Sequence, residues 1–152
     1  MSDIRTAWRD LGGEWAVAGP SLAADDGLQT AIVLSLFTDR LAAEGDATVQ
    51  PAARRGWWGD AYPEVTGDRI GSRLWQLARE KQTTAVLARA ELYAREALQW
   101  LVDDGVASAV TVAAEWVRGP GVEAGTLGLA ISVARSAAPV VSFRFDTFWK
   151  GL

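Results

Sequence analysis

Val110-Thr111-Val112-Ala113-Ala114-Glu115-Trp116 carries an apolar side chain at every second position, 110, 112, 114 and 116. A period of two is what a pleated strand with one buried face requires, because successive side chains leave opposite faces. The alternation returns at Leu127, Leu129, Ile131 and Val133, and again at Val141, Phe143 and Phe145. Gly119-Pro120-Gly121 and Ala138-Pro139 break the runs. The C-terminal third therefore predicts an antiparallel β-meander whose apolar side is covered by helices.

Upstream the period changes to that of a helix. Thr83 or Thr84 opens a helix running to about Asp103, with Val86, Ala90, Tyr93, Ala94, Ala97, Leu98 and Leu101 at helical spacing and Gly105 as its C′ residue. Asp68 is read as the cap of a shorter helix through Lys81, on which Leu74, Leu77 and Ala78 form a stripe with Trp75 at its border. Asp26-Gly27-Leu28-Gln29 has the form of a capping box and opens a third helix through Thr38, with Leu28, Ile32, Ser35 and Leu36 on one face. Residues 3–18 read as a hairpin, Ile4–Trp8 against Glu14–Val17, around Asp10-Leu11-Gly12-Gly13. The expected fold class is α+β, an antiparallel meander with an N-terminal hairpin and about three helices packed on the sheet. At 152 residues, 1–152 fits a single domain.

Composition narrows function by exclusion. The chain has no Cys and no His, which removes disulfides, thiol nucleophiles, zinc knuckles, Ser-His-Asp catalysis and the easiest general base near neutral pH. Carboxylate, Lys or Tyr chemistry and oxygen-ligand metal binding remain. Asp60, Glu64, Asp68 and Glu80 are the acids nearest the central loop, and nothing in their spacing fixes the pair of carboxyls roughly 5 to 10 Å apart that a glycosidase needs. No enzyme, cofactor or metal site is expected. Residues 1–53 hold eight acids against three bases and the net charge is −4, which is no nucleic-acid footprint. Met1-Ser2-Asp3-Ile4-Arg5 lacks the start of a signal peptide and no apolar run has membrane-spanning length, so synthesis and folding in the cytoplasm are expected, with no membrane partner.

What the composition favours is contact with other proteins. Thirteen of the fifteen bases are Arg, and there are eight Trp; both side chains are enriched where proteins bury surface against one another. Between Ala42 and Gly67 periodicity disappears, and a connection of that length in a small domain is usually in use. Its middle reads Arg54-Arg55-Gly56-Trp57-Trp58-Gly59-Asp60. Arg54, Arg55, Trp57, Trp58 and Asp60 are candidate partner-binding residues, with burial of one indole of the tandem pair as the competing reading. Asp103 and Asp104 face the negative end of their own helix, which calls for a compensating positive charge. That charge comes either from a partner or, for simple turn residues, from a base of this chain. The last strand, Val140–Trp149, alternates Phe143, Phe145 and Trp149 with Arg144, Asp146 and Lys150. Two places are open to it, the interior of the sheet or an edge that offers its backbone to another chain, and in the second case Phe143, Phe145 and Trp149 are candidate partner-binding residues.

Four ordered blocks carry a family resemblance: LQTAIVLSLFTDRLA at 28–42, RRGWWGD at 54–60, IGSRLWQLAREKQT at 70–83 and ALQWLVDDGVA at 97–107. In these the chain resembles the baseplate wedge proteins of Mu-like contractile-tail phages, a branch of the lysozyme-like baseplate wedge family. The resemblance implies a structural protein of the virion tail baseplate, present in several copies and assembled in the bacterial host cytoplasm. Its implied partners are other baseplate wedge proteins, the central hub or spike and the tail sheath protein, with a terminal strand from which sheath assembly begins. By position, Leu101-Val102-Asp103-Asp104-Gly105 matches a Glu-Pro-Arg motif that contacts the wedge bundle in the broader family; here only the acid is retained. RRGWWGD occupies the place of a Gly- and Arg-containing loop. The family's lysozyme label implies a runner-up, a tail-associated peptidoglycan hydrolase using Asp60 or Glu64, and a third reading is an adaptor binding a host protein.

Overall fold

The computed structural model describes residues 3–9, 12–18, 20–22, 24–25, 27–46, 54–78 and 80–148. Their fold is α+β. Six short strands come first: β1 (Asp3–Ile4), β2 (Thr6–Arg9), β3 (Gly12–Trp15), β4 (Val17–Ala18), β5 (Ser21–Leu22) and β6 (Ala24–Asp25). They pair antiparallel as β1 with β6, β2 with β3 and β4 with β5. The expected N-terminal hairpin is thus present as β2–β3, with Thr6 opposite Trp15 and Arg9 opposite Gly12. Gly12 and Gly13 belong to a strand and not to the turn, and Asp10 and Leu11 lie outside the described residues. Val17 starts a separate ladder with Leu22.

Helix α1 spans Leu28–Phe37 and buries Leu28, Ile32, Ser35 and Leu36 as its spacing required, together with Thr30 and Val33. Its cap differs from the expected box. Gly27 is the N-cap in a left-handed conformation, φ 83°, and makes no side-chain cap bond; Asp26 lies outside the described residues. Thr30 is put to a tertiary use, its Oγ1 accepting from the Thr6 N–H at 3.2 Å and donating to the Ile4 carbonyl at 3.1 Å. That bond pair straps the N-terminal ladders to α1.

Helix α2 spans Thr84–Leu98 and continues after Gln99 as a single turn, Trp100–Asp103. Thr83 caps it, accepting from the Val86 N–H at 3.3 Å, a bond worth about 1 kcal/mol. All seven apolar positions predicted for its inner stripe are buried. Gly105, at φ 71°, follows its end and donates to Val102, as a C′ glycine does.

Among the described residues of 68–81 no α-helix forms; one 3-10 turn, Leu74–Leu77, stands in its place, so the described residues hold two principal helices and not three. The reason is a competing bond pattern. Ser72 donates its N–H to the Thr38 carbonyl and accepts from the Arg40 N–H, both at 2.9 Å, forming a parallel bridge at the exit of α1. Gly71 beside it has φ 93°, and any Cβ there would collide with the Thr38 carbonyl. With Ser72 bonded in this way and Gly71 at positive φ, no helix runs into Leu74 from upstream, and the Leu74–Leu77 pair is buried by a single turn.

The C-terminal meander is as the alternation predicted: β7 (Ala109–Trp116), β8 (Thr126–Arg135) and β9 (Ala138–Phe148), in the order β7-β8-β9. Leu127, Leu129, Ile131 and Val133 are fully buried against the helices, each side chain contributing about 2 kcal/mol on burial. Ala138 and Pro139 belong to β9 instead of breaking it. A register shift between Val133 and Arg135 and the edge position leave Pro139 with no ladder N–H to supply.

The sheet's two edges are finished differently. At β7, the Ala114 N–H donates to the Glu91 carboxylate of α2 at 3.0 Å, so the helix caps one backbone group of that edge. At β9, among the described residues, no strand pairs with the outer edge. On the outer face Arg144 bridges Glu115, at 2.7 Å, and Asp146, at 3.2 Å, lying over Gly128 where a side chain would collide with it.

A candidate docking groove

The central loop is anchored by its two arginines. Arg54 donates to the Ala42 carbonyl at 2.9 Å while its own carbonyl accepts from the Ala42 N–H. Arg55, held at φ 46°, pairs with Asp39 at 2.8 Å and sits 5.0 Å over the Trp75 ring. Trp75 in turn donates its indole N–H to the Arg40 carbonyl at 2.8 Å. Both guanidiniums thus have partners within the chain, and Arg55 remains exposed beside the residues that follow it.

Those residues are exposed. Trp57 and Trp58, 5.4 Å apart and tilted, are 43% and 80% exposed, so neither indole of the tandem pair is in the core. The Trp57 ring folds over Gly59, leaving no room there for any side chain. Asp60 lies in a short 3-10 turn, Trp58–Ala61; its Oδ1 accepts from the Ile70 N–H at 3.2 Å, and its Oδ2 is shielded from solvent without a hydrogen-bond partner.

Opposite this loop lies the end of α2. The Trp100 indole donates to Ser35 Oγ at 3.0 Å, fixing the last helical turn against α1, and Asp103 Oδ1 accepts from Gln99 Nε2 at 2.9 Å. Between the two walls runs a groove of about 780 Å³. Trp57, Asp60, Asp103 and Asp104, far apart in sequence, line the same depression. Glu64 and Asp68 lie on it as well, as do Leu34 on the exposed side of α1, Tyr62 and Trp100. Leu34 and Tyr62 carry no signal in the sequence, because neither belongs to a periodic stripe or a motif; their exposure of 47% and 86% is what singles them out.

Behind the groove Arg73 joins three segments. It pairs with Asp46 at 3.0 Å and with both oxygens of Glu96 at 2.7 and 2.9 Å, and lies 4.3 Å over the Tyr93 ring. Burial acts to raise the pKa of the Asp46 carboxyl, but hydrogen bonds from Gln76, the Ala43 N–H and Arg73, with the Arg73 charge, hold it below the ordinary 3.8. Arg73 is likewise pulled down by burial and carried above its usual value by Glu96 and Asp46.

The remaining predicted contact residues are on β9. Phe145 is in the core, edge-on to Phe37 at 5.6 Å, which itself stacks on Trp8 at 4.2 Å. Its ring therefore holds β9 to α1 and is not offered to a partner, a correction that follows from the inward half of the alternation. Phe143 is half-buried beside it. Trp149 lies outside the described residues. Among the described residues no helix is long and apolar enough to cross a membrane, and no cluster of Asp or Glu is placed to hold a metal ion.

The family described as phage protein GP46 matches residues 28–140. The Mu-like prophage FluMu protein gp46 of Haemophilus influenzae is 48% identical over 114 residues, 75% of this chain and 76% of that protein. The baseplate protein gp46 of Escherichia phage Mu is 39% identical over 153 residues, covering all of both chains.

Proposed function

Since this chain belongs to the phage GP46 family and is a structural protein of a phage tail baseplate, we propose that it works by joining baseplate components through two surfaces, the groove and the outer edge of β9. The full-length identity to the Mu baseplate protein carries this reading. The partners are other wedge proteins, the central hub and the tail sheath, with the open β9 edge as the place where a sheath strand adds. Trp57 and Asp60 on one wall of the groove and Asp103 and Asp104 on the other form one docking site, with the exposed Trp58 next to it in the chain, supported by the exposure of aromatic surface beside carboxylates without ion-pair partners. The protein contributes geometry and assembly order, without catalysis, and is incorporated after synthesis in the host cytoplasm.

Co-expression of a tagged copy with the other baseplate proteins of its source tests this. A stoichiometric complex, weakened by Trp57→Ala with Trp100→Ala while the isolated variant keeps its thermal transition, is the expected result. Absence of any complex with the unmodified chain would remove the joining role. Release of soluble fragments from purified cell wall, lost on Asp60→Asn, would replace it with a hydrolase.

A further inference from the structure

Resting on the groove as a docking site, we propose that its occupant is an arginine-bearing segment of a partner protein, with the guanidinium seated between groove aromatics and carboxylates. The charge balance is one-sided. Asp60, Glu64, Asp68, Glu96, Asp103 and Asp104 line the groove, against Arg40 and Arg69. Glu96 is neutralised by Arg73, but Glu64, Asp68, Asp103 and Asp104 have no ion-pair partner among the described residues. Asp103 and Asp104 also stand at the negative end of α2, so helix and side chains attract the same sign of charge. No base of the described chain stands within ion-pair distance of either.

The chemistry of the occupant is indicated by what the protein does elsewhere. Twice it seats an arginine over a ring and against a carboxylate: Arg55 over Trp75 with Asp39, and Arg73 over Tyr93 with Glu96. In the groove Trp57, Tyr62 and Trp100 stand beside Asp60, Asp103 and Asp104, the same two partners lacking the cation. A planar guanidinium satisfies ring and carboxylate together, whereas a lysine ammonium satisfies them as a point charge.

Two measurements on the full chain decide it. In the first, the indole N–H signals are followed by NMR while N-acetyl-arginine amide is added, with the lysine analogue in parallel. The Trp57 and Trp100 signals should shift saturably and more strongly with the arginine compound, and Asp60→Asn, Asp103→Asn, Asp104→Asn together should abolish the shift in a folded protein. In the second, the same triple variant should bind its co-expressed partners at least about tenfold more weakly, as expected when partnered charges are removed from an interface. Uniform small shifts of all the indoles would overturn the proposal. So would a triple variant that assembles normally where Trp57→Ala with Trp100→Ala does not, although docking at the groove would then stand. If both variants assemble normally, the groove itself is no docking site and the proposal falls with it.

Discussion

The two edges of one three-stranded sheet make an instructive pair. β7 and β9 flank the same buried strand β8, and both send alternate apolar side chains toward the helices. At β7 the edge carries one cap from the helix: Glu91 of α2 takes the Ala114 N–H. At β9 the side chains of Phe143 and Phe145 tie the strand to the core, while no strand of the described chain takes up the backbone groups on its outer side. Soluble proteins usually blunt an exposed edge, because it templates pairing with other chains. Here one edge is capped at one point by a helix, while the other is held by its side chains with no strand of the described residues along it.

Damage to the strand that both edges share should have the largest effect. Leu129→Ala in β8 should cost about 3 kcal/mol by leaving a cavity under the helices, read as a lower urea midpoint with unchanged slope, and both edges should lose protection from amide exchange together. Glu91→Ala attacks one edge. It leaves the Ala114 N–H without its acceptor, at a cost of about 1 to 3 kcal/mol, and should raise self-association in sedimentation; Glu91→Gln, which retains an acceptor, should do neither. Monomeric behaviour of the alanine variant would mean that α2 shields β7 by bulk alone.

Acid tests the same side of the molecule. Because the folded Asp46 carboxyl lies below its ordinary 3.8, its contribution is present above that value and disappears as pH falls through the lower folded one. Below about pH 4 the link from the 42–46 segment through Arg73 to α2 should therefore loosen before β9 does, seen as earlier amide exchange in α2, and Asp46→Asn should remove most of that pH dependence. The smallest effect belongs to the outer face. Arg144→Ala breaks two half-exposed ion pairs and should change stability by no more than about 0.5 kcal/mol, with a midpoint shift well beyond that pointing to a structural role for the bridge over Gly128.

The expected and observed folds agree where physics is local. Alternation at 110–116 and 127–133 dictated strands because only a period of two keeps those side chains on one face. The stripe from Val86 to Leu101, opened by Thr83 and closed by Gly105, dictated α2 in the same way. The missing helix at 68–81 shows the limit. Leu74, Leu77 and Ala78 have helical spacing, yet the backbone groups of Ser72 are taken by Thr38 and Arg40, more than thirty positions away in the chain.

The contact residues divide along the same line. Indole, guanidinium and carboxylate in RRGWWGD, and an acid pair at a helix's negative end, are properties of residue type and were sufficient to mark Trp57, Trp58, Asp60, Asp103 and Asp104. That the arginines of the loop are spent on Ala42, Asp39 and Trp75, that Phe145 belongs to the core, and that loop and helix end face each other across one groove depend on distance in space. Most of the elements, and the chemistry available to them, were legible in the order of residues, because periodicity and residue type act within a few positions of the chain. Which of those groups pair with one another and which stay exposed was settled by packing, through contacts that exist only once the helices and the sheet have come together.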